Sequence, residues 1–290
     1  MSGVALGLVL ASAVAHALWN LLAKRADDRL LFFWLMNVVV GVLGLPAVLH
    51  TLAQRPLSAV GWLFVTGTGL LHVAYFWSLA RGYTHGDMSV VYPVARGTGP
   101  LLVALLAPVV FREVPSGQGA AGIALILLGI YASHLQNLSA MQVGAPLRTV
   151  LEHRGSRYAL LTGLTIAAYT LWDRGGVAHV EPLLYGYFVF AIPALLIAPF
   201  LWRAGAATIA RSRPLWPRAA AAAGLSYAAY ALVLTAFTLS KVSYVAAARE
   251  VGIVVGAALG SAFLKEKHGP PRLLGSALIF VGVALIAAAK

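Results

Sequence analysis

The chain has 290 residues, 60% hydrophobic and 10% charged, with 21 Lys and Arg against 9 Asp and Glu. A soluble domain carries about a quarter charged residues, so this composition describes an integral membrane protein with no polar stretch long enough for a separate soluble domain. The basic residues fall in short gaps between apolar runs, which argues against a nucleic-acid partner, and the absence of cysteine excludes disulfides, thiolate metal sites and iron–sulfur clusters.

A bilayer core of about 30 Å takes roughly 20 apolar residues per helix. Ten such segments are predicted, at 3–23, 30–50, 59–80, 88–111, 118–136, 157–177, 182–202, 219–239, 242–263 and 273–289. The first lacks a basic leading region and is read as a span, not a cleaved leader; it carries His16, Trp19 and Asn20. The third holds His72, Tyr75 and Trp77, and the fourth Tyr92, Pro93, Arg96, Gly97 and Gly99. Pro93 is expected to loosen the helix ladder locally. The longest connection, 137–156, follows the fifth segment. The sixth carries Tyr169, Trp172 and Asp173, with Asp173 expected to pair with its neighbour Arg174; the eighth carries Tyr227 and Tyr230. The ninth contains Arg249 and Glu250, then Gly252, Gly256 and Gly260 at four-residue spacing. That stripe favours close helix packing within one molecule, so a monomer is expected. Glu113 and Glu266, at the ends of the fourth and ninth segments, read as interfacial structure.

The loops are unequal in charge. Fourteen basic residues lie on one side, counting loops 1–2, 3–4, 5–6, 7–8 and 9–10, and five lie on the other. The positive-inside rule makes the richer side cytoplasmic. The expected location is a bacterial-type inner membrane, multi-pass, with both termini outside.

Shifting the chain by 153 residues brings its halves into register without gaps: Leu18–Trp19 on Leu171–Trp172, Pro46 on Pro199, Arg96 on Arg249, Gly99 on Gly252, Glu113 on Glu266, Gly122 on Gly275 and Gly129 on Gly282. Five spans per half is an odd number, so the second half enters the membrane in the opposite sense. The predicted fold class is all-α integral membrane, ten transmembrane helices as two inverted five-helix repeats, 1–136 and 157–290, joined by the 137–156 loop. Transporters built this way bind their solute near the midplane at the repeat interface.

Arg96 lies about 12 Å along its helix at ~1.5 Å per residue, and Arg249 lies at a matched depth measured from the opposite surface. A charge there costs at least ~2.5–3.5 kcal/mol unless it faces a bundle interior or water. Arginine stays protonated and presents a planar fork of donors suited to carboxylate or phosphate. The functional reading is an anion-binding pair lining a cavity. The structural alternative pairs Arg249 with Glu250 or Asp173 and leaves Arg96 to helix carbonyls. Glu250 diverges by about 100° from Arg249 on a helix of 3.6 residues per turn, so adjacency does not make them partners.

Three stretches resemble the drug/metabolite transporter superfamily, EamA branch. "GYTHGDMSVVYPVARGTGPLLVALLAPVVFREVPSGQGAAGIALILLGIY" (82–131) is similar to the fourth and fifth spans, and "VSYVAAAREVGIVVGAALGSAFLKEKHGPPRLLGSALIFVGVALI" (242–286) to their second copy. "HALWNLLAKRADD" (16–28) resembles the opening of such proteins. The resemblance implies a ten-span bundle, a central cavity lined mainly by spans 1, 3, 4, 6, 8 and 9, and alternating access. In related four-span multidrug exporters a first-span glutamate exchanges protons for cations; here His16 stands at that place, their tyrosine falls on Tyr92, and their tryptophan falls on Ala95. Sugar-phosphate carriers of the superfamily use basic residues in the spans that hold Arg96 and Arg249. Ten-span relatives keep both termini cytoplasmic, contrary to the charge count.

The resulting expectation is a secondary transporter of a small organic anion or zwitterion: a carboxylate, phosphonate, phosphate ester or amino acid. Arg96, Arg249, Tyr92, His16, Trp19, Tyr169, Trp172 and Tyr230 are the candidate solute-binding residues, with Glu250 and His16 candidates for proton coupling. The partners are a small-molecule solute and the lipid bilayer; no cofactor or metal is expected, and no G-x-x-x-x-G-K loop is present to use a nucleotide. A cation or multidrug exporter and a lipid-linked headgroup flippase remain as alternatives. A membrane enzyme would need a nucleophile–base or metal constellation, which the eight scattered histidines do not make.

Overall fold

The computed structural model describes residues 1–24, 28–85, 88–133, 153–203, 213–264 and 269–289. Eleven helices form among the described residues: α1 (Gly3–Lys24), α2 (Arg29–Gln54), α3 (Ala59–His85), α4 (Met88–Phe111), α5 (Gly117–Ser133), α6 (Arg154–Gly176), α7 (Pro182–Trp202), α8 (Trp216–Leu239), α9 (Val242–Ala248), α10 (Val251–Leu264) and α11 (Pro270–Ala288). The expected loop at 137–156 lies outside the described residues up to 152, as does Glu266; so do the side chains of Tyr92 and Pro93 and that part of the glycine stripe at Gly260.

The starts of these helices follow local chemistry. Asp28 caps α2, its carboxylate accepting from the Leu31 N–H at 3.1 Å, which satisfies a donor that the first turn leaves free. Prolines open α7 and α11, with Pro182 and Pro270 at their first residues, where a missing N–H costs nothing. Arg112 ends α4 in the left-handed region, at φ 56°, and turns the chain toward α5.

The exposed surface along the helices is apolar, and the interior, itself largely apolar, also encloses polar groups. Leu43, Val109, Leu195 and Phe200 are mostly exposed, whereas Ser12, Asn37, Thr68, His72, Thr162, Asp173 and Glu250 are buried. A protein solvated by lipid has this arrangement, because the lipid offers its polar groups no partners. Among the described residues, eight helical segments are long and apolar enough to cross a membrane, with Val242–Leu259 counted as one. Gly117–Ser133 is apolar but shorter. Helix α6 is long enough but carries Arg154, Arg157, Thr162, Thr165, Thr170, Asp173 and Arg174. The chain is a multi-pass membrane protein. Its ends meet at one face of the bundle, where the Met1 ammonium donates to the carbonyls of Ile286 (3.2 Å) and Ala289 (3.0 Å).

Helix pairing follows the 153-residue register. Helix α1 packs on α8 as α3 packs on α6, and α4 on α6 as α1 on α10. The closest pair is α5 with α11. A Cβ built on Gly122 would lie 2.7 Å from the Gly282 carbonyl oxygen, and one on Gly129 would lie 2.7 Å from that of Gly275. The contacts are reciprocal: the register matches Gly122 to Gly275 and Gly129 to Gly282, and each glycine meets the counterpart of the other.

Two expectations are corrected here. The fourth span is not loosened at Pro93, since α4 runs unbroken from Met88 to Phe111. The interruption falls in the ninth span, which ends as α9 at Ala248 and resumes as α10 at Val251. Between them the ladder tightens, with Glu250 N–H donating to Ala247, Gly252 to Arg249 and Ile253 to Glu250, at 2.9–3.0 Å. These are three-residue bonds, the signature of a local 3₁₀ turn, centred on the two charged side chains of the span.

Candidate functional site

Arg96 on α4 and Arg249 at the α9–α10 junction reach the same interior. One small cavity is lined by both, with Gly99, Ile166, Tyr169, Thr170 and Glu250 among its walls. A second is lined by both together with Ser12, Ala13 and His16 of α1. Each has room for about one water molecule.

The charges are not paired as adjacency suggests. Glu250 Oε2 lies 2.9 Å from Arg96 Nη2, with side-chain exposures of 5% and 19%. This ion pair joins the two matched halves of the chain. Arg249 instead places its guanidinium over the Tyr230 ring, 5.9 Å from the centroid, a cation–π contact. Two of the structural alternatives are thereby set aside: Glu250 serves Arg96, and Asp173 is held elsewhere.

Asp173 is fully buried. It accepts a hydrogen bond from the Tyr185 hydroxyl at 2.8 Å and a second, short one from the Tyr230 hydroxyl. His72 Nε2 lies 3.3 Å from the same Tyr230 hydroxyl. Its Nδ1 donates to the Thr68 carbonyl at 2.8 Å, and its ring stacks on Tyr169 at 4.4 Å. The expected Asp173–Arg174 pair does not form, because neighbours on a helix point about 100° apart. Arg174 turns to Glu113 instead, at 2.9 and 3.1 Å. The other oxygen of Glu113 accepts the Val242 N–H at 2.7 Å and so caps α9, while Lys241 donates to the Val114 carbonyl at 2.6 Å. These contacts tie the α4–α5 turn to the end of α6 and the start of α9.

The structure thus brings Tyr169 and Glu250 to one small cavity and His16 to a second, with Arg96 and Arg249 lining both and the Tyr230 ring beneath Arg249. Trp19 stands beside it, 5.0 Å edge-on from the His16 ring, and its buried Nε1 has no acceptor among the described residues. Trp172, its counterpart in the register, serves a different purpose: its Nε1 donates to the Phe64 carbonyl at 2.9 Å and its ring fills the space above Gly67, where a Cβ would lie 2.5 Å away. It pins α6 to α3 and lines neither cavity. The side chain of Tyr92 lies outside the described residues. Sequence reasoning missed Tyr185 and the place of Asp173. The available signal was an acid among apolar neighbours in a span, which finds an interior partner by default.

Buried charges inside a multi-pass helical bundle, around a chamber between its halves, define a membrane transport protein by class. The comparisons carry this further. The model of the EamA-like transporter family matches residues 3–134 and 153–288, and the chain belongs to that family. A curated relative, the uncharacterized transporter YwfM of Bacillus subtilis (strain 168), is 24% identical over 196 residues, 68% of this chain and 63% of the relative's length. The matched region therefore spans less than two thirds of that relative. A solved crystal structure, described only as that of a protein, aligns with a TM-score of 0.71 at 16% identity over 99% of this chain and 98% of that one, a likeness of fold.

Proposed function

We propose that this protein is a secondary transporter that moves a small organic anion or zwitterion by alternating access, with Arg96 and Arg249 holding the solute's acidic group. The observation that carries the reading is that two guanidinium groups, one from each matched half, line the same buried chamber. Guanidinium offers fixed donors in the geometry of carboxylate, phosphonate or phosphate. The break of the ninth span at Arg249 and Glu250 supports it, since interrupted helices recur where transporters bind solute.

Around this pair, His16, Tyr169 and Trp19 shape the pocket, and Tyr230 positions Arg249. The architecture we infer is ten spans in two inverted repeats; α6 and α5 supply the crossings beyond the eight most apolar ones. The reciprocal Gly122–Gly282 and Gly129–Gly275 contacts support a two-fold relation, and the meeting of the two termini supports an even number of crossings. Alternating access requires the Glu113–Arg174 latch and the Lys241–Val114 contact to part on that face. We place the protein as a monomer in a bacterial-type inner membrane, with the charge-poor end, which includes both termini, outside.

The test is a thermal-shift screen of acidic metabolites on purified wild type, Arg96→Ala and Arg249→Ala proteins, followed by uptake into liposomes. Acids are expected to stabilise the wild type and neither variant. Stabilisation by quaternary amines that survives loss of both arginines refutes the anion reading and supports a cation exporter.

A further inference from the structure

Arg96 is the intended partner of an incoming acid, yet it already holds one. Glu250 sits against it at 2.9 Å, almost wholly buried, on the wall of the chamber that Arg96 and Arg249 share. The position is specific to one half of the chain: the residue after Arg249 is Glu250, whereas the residue after Arg96 is Gly97. The acid thus belongs to the second half and grips the arginine of the first.

We infer that Glu250 is a built-in competitor for Arg96 and that its protonation releases Arg96 to the solute, so that one proton enters the chamber with each acidic group. The inference rests on the anion-binding reading above and supplies its coupling. The charge balance is explicit. Before binding, the two guanidinium groups and the Glu250 carboxylate sum to one positive charge. A proton adds to Glu250 to give a neutral carboxyl group, the solute's carboxylate, sulfonate or phosphonate monoanion takes its place on Arg96, and the sum is again one positive charge. Without the proton, Glu250 keeps the Arg96 fork, the solute is left with Arg249 alone, and two anionic groups lie close together in a poorly solvated space, where like charges repel strongly.

The groups facing Glu250 leave it as the acceptor of that proton. Arg96 approaches from α4 and Arg249 adjoins it, both permanently charged. His16 approaches from α1 beside both arginines, where a proton would make a third positive charge. Tyr169 comes from α6. Asp173, with Tyr185, Tyr230 and His72, forms the separate cluster below Arg249, where its carboxylate accepts from both tyrosine hydroxyls.

The experiment titrates purified full-length protein, in lightly buffered detergent solution with a pH indicator, against methanesulfonate and taurine. Methanesulfonate keeps one fixed charge throughout, so any uptake of protons on its binding belongs to the protein; taurine, whose amine can titrate, serves as the zwitterionic comparison. Above the Glu250 transition, the wild type takes up about one proton per methanesulfonate bound and affinity falls about tenfold for each pH unit; below it, Glu250 is already protonated and uptake falls to zero. Glu250→Gln binds without proton uptake, independently of pH, and at alkaline pH at least as tightly as the wild type. Binding to the wild type that is independent of pH and takes up no proton at any pH, or uptake that persists in Glu250→Gln, overturns the inference. The wild-type measurement decides even where the variant fails to fold. Should the sulfonates, lactate and glycerol phosphate all fail to bind the wild type, the anion reading itself falls; binding without protons removes only the role of Glu250.

Discussion

Removing one member of the Arg96–Glu250 pair and then both separates the cost of the ion pair from its use. Arg96→Leu leaves Glu250, whose side chain is 5% exposed, as a carboxylate without its guanidinium. Breaking a buried pair from one side costs about 3–5 kcal/mol; because the Arg96 side chain keeps 19% exposure, the lower end applies, and a loss of about 3 kcal/mol is expected. At roughly 2–4 °C per kcal/mol for a chain of this order of size, the thermal midpoint drops by about 6–12 °C. Glu250→Leu alone also destabilises, because it removes the carboxylate that lies 2.9 Å from Arg96. The double variant Arg96→Leu/Glu250→Leu removes both charges, and replacing a buried pair by apolar side chains is often neutral or better. Its midpoint is expected to return to within a few degrees of the wild type, a favourable coupling of about 3 kcal/mol or more in a double-mutant cycle, while acid binding stays lost. Fluorescence-monitored melting of the four proteins in one detergent, with acid-induced stabilisation measured in parallel, is the assay. A double variant no more stable than the worse single variant refutes the pairing, and one that still binds acids refutes the part assigned to Arg96.

Tyr230→Phe keeps the ring beneath Arg249 but deletes the hydroxyl that serves Asp173. An acceptor left unsatisfied in the interior costs about 1–3 kcal/mol, so melting falls while acid affinity changes only a few-fold; complete loss of binding would instead make the hydroxyl a solute contact. The two register-matched tryptophans are predicted to respond oppositely to replacement by Phe. Trp172→Phe loses its bond to Phe64, about 1 kcal/mol of stability, with binding intact, whereas Trp19→Phe leaves melting unchanged and weakens binding, as dye-monitored melting with and without acid will reveal.

The sequence made the helices legible because each is a long apolar run, and lipid-spanning helices need little else to be recognised. The shared register of Arg96 and Arg249 was equally plain, and it placed them in one interior before any contact was known. What stayed hidden was pairing. Asp173 and Arg174 are neighbours in the chain and were read as partners, yet the helix turns one to Tyr185 and Tyr230 and the other to Glu113. The same angular argument weighs against Glu250 as the partner of Arg249 but leaves that pairing open, and only the packing of α4 against α9 supplies Arg96 in its place. Trp172 misled for a related reason. An aromatic in a span reads as a pocket wall, and its hydrogen bond to a carbonyl of α3 is a fact of helix packing with no trace in its own neighbourhood of sequence.

The register also shows where the two halves stop being equivalent. Gly122 and Gly129 meet Gly282 and Gly275 in matched fashion, so the scaffold treats the halves alike. At the chamber the equivalence is broken three times. Gly97 stands opposite Glu250, Trp19 has no acceptor among the described residues where Trp172 has one, and α4 is continuous where α9 and α10 are not. Packing alone rewards symmetry, since each helix pair is then built twice from one solution. Two of these departures, Glu250 opposite Gly97 and the break of the ninth span, fall at the arginines themselves and call for a cause other than packing. A single carboxylate supplies one: placed in both halves it would neutralise the chamber and leave nothing to attract an acid, while placed in neither it would leave two bare guanidinium groups in the bundle interior at several kcal/mol. One acid between two arginines keeps the bundle foldable and the chamber positive.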